Sequence, residues 1–125
     1  MANILLIEDD ERTRQAMTDL LELGGHNVSE AVDGDAGLKA AREQQPDVIL
    51  LDFSLPKMHG WAVAREIRND PTIRDTPIVA LTAHVMVATR ETAMEVGCDA
   101  YLTKPIHADS FEPWFNAFLA ERGLK

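Results

Sequence analysis

Three short, uninterrupted apolar runs constrain this chain more than any other feature: Ile4-Leu5-Leu6-Ile7, Val48-Ile49-Leu50-Leu51 and Ile78-Val79-Ala80-Leu81. Continuous apolarity over four residues is the pattern of a central strand buried on both faces of a parallel sheet. Each run closes on a polar residue, Glu8, Asp52 and Thr82 in turn.

Helical periods fill the intervals. Ala16, Met17, Leu20, Leu21 and Leu23 are expected on one face of a helix stopped by Gly24-Gly25. Ala36, Leu38, Ala40 and Ala41 mark a second helix, introduced by Asp33-Gly34 and ended before Pro46. Ala62, Val63 and Ile67 mark a third, closed by Asn69-Asp70-Pro71, and Val87, Ala88, Met94 and Val96 a fourth, with Gly97 as its C-terminal cap. Phe111, Trp114, Phe115, Phe118 and Leu119 stripe the fifth, with Pro113 expected in its first turn. Val28 to Val32 and Ala100 to Leu102 supply two weaker strands. The result is a strand-helix alternation repeated five times, which implies an α/β fold with a parallel sheet covered by helices on both sides.

The 125 residues suit one compact domain spanning 1–125 that buries roughly two-thirds of its unfolded surface. Twelve Lys and Arg against 21 Asp and Glu leave a net charge of −9, which repels phosphate backbones and anionic lipid and argues against direct nucleic-acid or membrane binding. The single cysteine, Cys98, cannot form an internal disulfide and is expected to be a buried, inert thiol. No signal peptide or apolar stretch of about 20 residues is visible, so the expected location is cytoplasmic.

In an open doubly wound sheet, ligands bind beyond the carboxyl ends of the strands. Glu8 and Asp9, Asp52, Thr82 and Lys104 should therefore converge. Three carboxylates in one crevice repel by roughly 4 kcal/mol per pair at ~4 Å and an effective dielectric of ~20. A hard divalent cation offsets that, and magnesium typically takes one or two carboxylates plus waters and a phosphate oxygen. Lys104 adds a mobile positive charge. A cation, a lysine and a hydroxyl around one carboxylate are what a transferring phosphoryl group needs. No G-x-x-x-x-G-K-[ST] loop is present, and Gly34-Asp35-Ala36-Gly37 is not a dinucleotide fingerprint. Each residue also has a plainer reading: Asp10 as a helix cap, Asp52 as a turn cap, Thr82 as a strand-end hydroxyl, Lys104-Pro105 as a surface turn.

Ile7-Glu8-Asp9-Asp10, Leu51-Asp52, Leu81-Thr82-Ala83 and Tyr101-Leu102-Thr103-Lys104-Pro105 resemble the motifs of the receiver domain of two-component response regulators, the family of the chemotaxis protein CheY. The resemblance covers nearly the whole chain and implies a flavodoxin-like (βα)5 fold with strand order 2-1-3-4-5. It further implies that Asp52 is the phosphoacceptor and that Mg2+ (or Mn2+) is held by Asp9, Asp52, Glu8, the last through water, and the backbone carbonyl of Ser54. Thr82 and Lys104 would bind phosphoryl oxygens, and the Lys104-Pro105 bond would be cis. Pro56 and Gly60 stand where the family pattern expects them, while Lys57, Met58 and His59 depart from it. His84, with Ser54, would flank an attacking water and tune phosphoryl lifetime. His26, His59 and His107 are expected at the surface.

Phosphorylation would draw Thr82 inward and let Tyr101 swing from exposed to buried, reshaping the surface of the fourth helix, last strand and fifth helix. The resemblance implies a sensor histidine kinase or histidine phosphotransfer protein as donor and a downstream protein as target. It implies a signalling switch that catalyses only its own phosphorylation and dephosphorylation. Two rivals remain at this level: an aspartyl-phosphate phosphatase for small molecules, and a degenerate receiver that only binds protein. The phosphatase would usually want a second acid where Ser54 stands.

Overall fold

A computed structural model describes residues 2–55, 58–83 and 87–124, with the backbone alone for 87–89. Strands β1 (Asn3–Ile7), β2 (Asn27–Ala31), β3 (Val48–Asp52), β4 (Ile78–Thr82) and β5 (Ala100–Thr103) alternate with helices α1 (Glu11–Leu23), α2 (Gly34–Gln44), α3 (Gly60–Asn69), α4 (Val87–Glu95) and α5 (Ala108–Glu121). All strand pairs are parallel, in the order β2-β1-β3-β4-β5. This is the doubly wound arrangement expected from the sequence.

The period-two geometry of a strand sorts each apolar run onto two faces. Leu5, Ile7, Ile49, Leu51, Ile78 and Ala80 pack with Leu38 and Ala41 of α2, Val63, Ala64 and Ile67 of α3, and Ala93 of α4. Ile4, Leu6, Val48, Leu50, Val79 and Leu81 pack with Met17 and Leu21 of α1 and Phe111, Phe115, Phe118 and Leu119 of α5. The central strands are buried on both sides because each face has its own helical layer. Arg68 fastens the amino end of the sheet, donating to the carbonyls of Gly97, Arg74 and Thr76 and pairing with Asp99 at 3.0 Å.

Asp10 caps as one of its readings expected, and Asp33, expected only as a turn residue, caps as well. Asp10 accepts from the Thr13 amide and Asp33 from the Ala36 amide. Gly25 and Gly97 take the positive φ, +87° and +98°, that lets the chain leave α1 and α4.

Several side chains fall elsewhere than expected. Leu23 is 87% exposed and Ala16 is exposed, because the stripe that α1 buries is Met17, Thr18 and Leu21. Met94 is half exposed, while its neighbour Ala93 is buried against the sheet. Val32 lies past the end of β2 and is exposed. Pro113 is in the second turn of α5, where its missing N–H deprives only the Asp109 carbonyl of an intrahelical bond. His26 is buried, contrary to expectation: its Nδ1 accepts the Ala2 amide at 3.1 Å and its ring meets Phe115 edge-on. The desolvated site, with the N-terminal charge nearby, holds its pKa below the ordinary histidine value. His59 and His107 are exposed, and Cys98 is buried.

Candidate functional site

Parallel registry brings the carboxyl ends of four strands to one level. Ile7 pairs with both Ala31 and Leu51, so Glu8 and Asp52, each one residue further on, sit side by side. Asp52 pairs with Leu81 and Thr82 with Thr103, which sets Thr82 and Lys104 one step beyond. The Lys104 amide donates to the Thr82 carbonyl at 2.7 Å, and the Lys104-Pro105 peptide is cis. The convergence expected from the polar closures of the apolar runs is thus a consequence of register.

Glu8 is fully buried and Asp52 and Thr82 are 1% exposed, whereas Asp9 is open to solvent. One carboxylate oxygen from each of Glu8, Asp9 and Asp52 lies within 4.8 Å of the others. Lys104 Nζ bridges the pair beneath them, 2.7 Å from Glu8 Oε1 and 3.3 Å from Asp52 Oδ1. The Ser54 amide donates to the same Asp52 oxygen at 3.0 Å, and the Asp10 amide to Glu8 Oε2 at 3.1 Å.

The electrostatics follow from burial against pairing. Desolvation pushes Glu8 from an ordinary carboxyl value up to about 7; Asp52 adds to the rise, and Lys104 opposes it. Asp9 is raised too, by desolvation first and then by Asp52. Burial alone would lower Lys104, but its contacts with Glu8 and Asp52 outweigh that and hold it above the usual lysine range. One lysine therefore leaves the three acids undercompensated. Glu8 Oε1, buried at the centre of the cluster, has the Lys104 ammonium at 2.7 Å, and Asp52 shares that same ammonium.

Such a donor set fits a hard divalent cation. The ligands are all oxygens, the cluster is open on the Asp9 side, and the net charge around Lys104 is negative.

Tyr101 is half-buried, registered opposite Ala80 and packed against the cluster under α2 to α4. Ser54 is exposed. Pro56, Lys57 and His84 lie outside the described residues. Sequence reasoning missed Arg14, whose guanidinium reaches the carbonyls of Glu8 and Asp9. Its only signal was a basic residue three positions after the four consecutive acids Glu8 to Glu11.

Over residues 4–113 the sequence matches the family model of the response regulator receiver domain. The chain belongs to that family. It is 32% identical over 119 residues to the polar-differentiation response regulator DivK of Brucella anthropi, covering 95% of this chain and 97% of that protein. Among solved structures, the Vibrio cholerae chemotaxis protein CheY4 superposes with a TM-score of 0.88 at 27% identity, covering 94% of this chain and 98% of the other. The receiver domain of the Pseudomonas aeruginosa sensor histidine kinase PA1611, solved with a magnesium ion coordinated in its active-site cleft, is 32% identical with a TM-score of 0.85, covering 93% of this chain and 95% of the other. The chain is thus a receiver domain of two-component signalling and a member of a signalling family rather than a conventional enzyme. None of its described helices is long and apolar enough to cross a membrane.

Proposed function

We propose that the whole chain, 1–125, acts as one cytoplasmic phosphoacceptor switch, with Asp52 taking a phosphoryl group from a phosphohistidine of a sensor histidine kinase or histidine phosphotransfer protein. The single observation that carries this reading is the Lys104 ammonium held between buried Glu8 and Asp52, at 2.7 and 3.3 Å, beside the open carboxylate of Asp9. A structural salt bridge would not require three acids around one lysine.

Asp9, Asp52, Glu8 through water, and the Ser54 carbonyl would hold Mg2+ (or Mn2+), as the magnesium-containing PA1611 receiver suggests by likeness. When bound, the cation draws charge from the phosphoryl oxygens as they approach the carboxylates. Asp52 is the nucleophile: a carboxylate oxygen forms the new bond to phosphorus while the phosphorus–nitrogen bond of the donor breaks and its electron pair returns to the imidazole. Lys104, already oriented at Asp52, pairs with one phosphoryl oxygen, and the Thr82 hydroxyl donates to another. Return to the resting state is attack by water on phosphorus, which breaks the bond to the Asp52 oxygen, releases inorganic phosphate and restores the carboxylate; Ser54 and, by the family resemblance alone, His84 are the residues we assign to setting the lifetime.

We assign the donor's seat to a groove beside the site. A largely apolar groove of about 470 Å3 lies between α1 and the segment after β5, lined by Arg12, Thr13, Ala16, Met17, Ala83, Lys104, Pro105 and Ile106. A histidine-bearing helix seated there would present its phosphoryl group to Asp52. On the output side, inward movement of Thr82 would let the half-buried Tyr101 settle further, altering the α4-β5-α5 surface that meets the downstream protein. Reversing such a surface needs about 5.5 kcal/mol of bias.

The test is intact-mass measurement after incubation with Mg2+ and acetyl phosphate. Wild type gains one phosphoryl mass and Asp52→Asn does not. No gain in wild type, or an undiminished gain in the variant, rejects the reading. Fast turnover of many phosphate esters would transfer the protein to the phosphatase class, which the presence of Ser54 rather than a second acid two residues after Asp52 disfavours.

A further inference from the structure

Arg14 enters the site from behind. Its Nη1 donates to the Glu8 carbonyl at 3.1 Å and to the Asp9 carbonyl at 3.4 Å. These two carbonyls belong to the peptide planes on either side of Asp9. Fixing both planes fixes the direction in which the Asp9 side chain leaves the backbone. Asp9 is the one exposed member of the three acids, so it is the one that burial does not position.

The guanidinium is itself held. Its Nε meets Glu30 Oε1 at 3.1 Å, and the other Glu30 oxygen accepts from the buried Thr18 hydroxyl at 2.8 Å. Both Glu30 oxygens are thereby engaged, and only 16% of the Arg14 side chain is exposed. The chain Thr18-Glu30-Arg14 runs from α1 through β2 to the turn after β1. A planar fork used at two edges, one for a carboxylate and one for paired carbonyls, is a task that a lysine point charge cannot reproduce.

We infer that Arg14, oriented by Glu30, is a positioning residue for divalent cation binding: it aims the Asp9 carboxylate by holding the carbonyls of Glu8 and Asp9. This deepens the proposed function and rests on it. Groups that orient metal ligands from behind typically account for 10–100-fold in metal affinity.

The experiment titrates the full chain with Mg2+ alone, and in parallel with Mn2+, by calorimetry. Variants are Arg14→Ala, Arg14→Lys, Glu30→Gln and, as a control for charge, Arg12→Ala, whose side chain is exposed on the same turn. Urea unfolding without metal identifies conditions in which every variant is fully folded. Arg14→Ala should weaken Mg2+ binding about tenfold, Arg14→Lys and Glu30→Gln by less, and Arg12→Ala less than twofold. At saturating Mg2+ the acetyl phosphate reaction of Arg14→Ala should return towards the wild-type rate, because the defect lies in affinity and not in the transfer step.

Wild-type affinity in folded Arg14→Ala overturns the inference while leaving the proposed function intact. Equal losses in Arg14→Ala and Arg12→Ala also overturn it, since the effect would then be charge alone. So does a rate that stays depressed at saturating Mg2+. Should Arg14→Ala fail to fold, unchanged affinity in both Arg14→Lys and Glu30→Gln overturns it. A wild type that binds no Mg2+ removes the cation from the proposed function and this inference with it.

Discussion

Glu8 offers the sharpest quantitative test, because its burial and its elevated pKa predict a stability that falls as pH rises. A carboxyl whose folded value is about 7, against an ordinary 4.5 when unfolded, binds its proton more tightly in the folded state. Its contribution is fully present below the unfolded value and is lost as pH climbs through the folded one. Substituting Glu8→Gln removes that titration while keeping a similar shape. Between pH 5 and pH 8 the two values correspond to roughly 2–3 kcal/mol of linked free energy. The metal-free variant should therefore gain roughly that much on the wild type in going from pH 5 to pH 8. Any fixed cost of weakening the 2.7 Å contact with Lys104 appears at both pH values and cancels in the comparison. His26, whose depressed pKa acts oppositely, cancels too, since it is present in both proteins. Urea unfolding in EDTA at the two pH values supplies the numbers, and repeating it in Mg2+ should shrink the difference as the cation takes over the role of the proton. A variant-minus-wild-type difference that is the same at both pH values would refute the account of Glu8 as an undercompensated buried acid.

Other outcomes follow from the same geometry. Gly60→Ala would put a Cβ 2.4 Å from the Asp52 carbonyl and 2.6 Å from the Phe53 Cα, so it should cost at least the 1–3 kcal/mol typical of overpacking, read by urea unfolding, and should slow the acetyl phosphate reaction. His26 has its pKa held below the ordinary value by burial, so its share of stability is lost as pH falls through and below that ordinary value; thermal melts from pH 7 to pH 5 should show a loss that His26→Gln reduces. Arg68→Ala strips the carbonyls of Gly97, Arg74 and Thr76 of a charged donor and should lower stability by about 3 kcal/mol without changing Mg2+ affinity. Cys98, its thiol pushed up to about 12 by burial, should resist thiol reagents in the native protein and react fully in urea.

Much of this protein was legible in one dimension. The three apolar runs announced central strands because only strands covered on both faces are apolar at every position. The polar residues closing those runs announced the site, since parallel strands end at a common level and Glu8, Asp52 and Thr82 could hardly avoid meeting. Caps at Asp10 and Gly97, and the helix start at Asp33-Gly34, were readable because such signals are decided within four residues.

Tertiary structure decided what local pattern leaves open. Leu23 and Met94 fit a helical stripe but face solvent, because which residues of a stripe are covered depends on the neighbouring layer. His26, after two glycines, was expected at the surface, yet Phe115 of α5 packs against it and it is a buried acceptor. Arg14 carried no motif at all. Its role exists only because β2 brings Glu30 beside α1 and the turn after β1 directs its carbonyls backwards. Periodicity and strand-end chemistry are properties of short segments and survive in sequence. The partners of a charge are set by what the fold brings alongside it, and so they appear only in three dimensions.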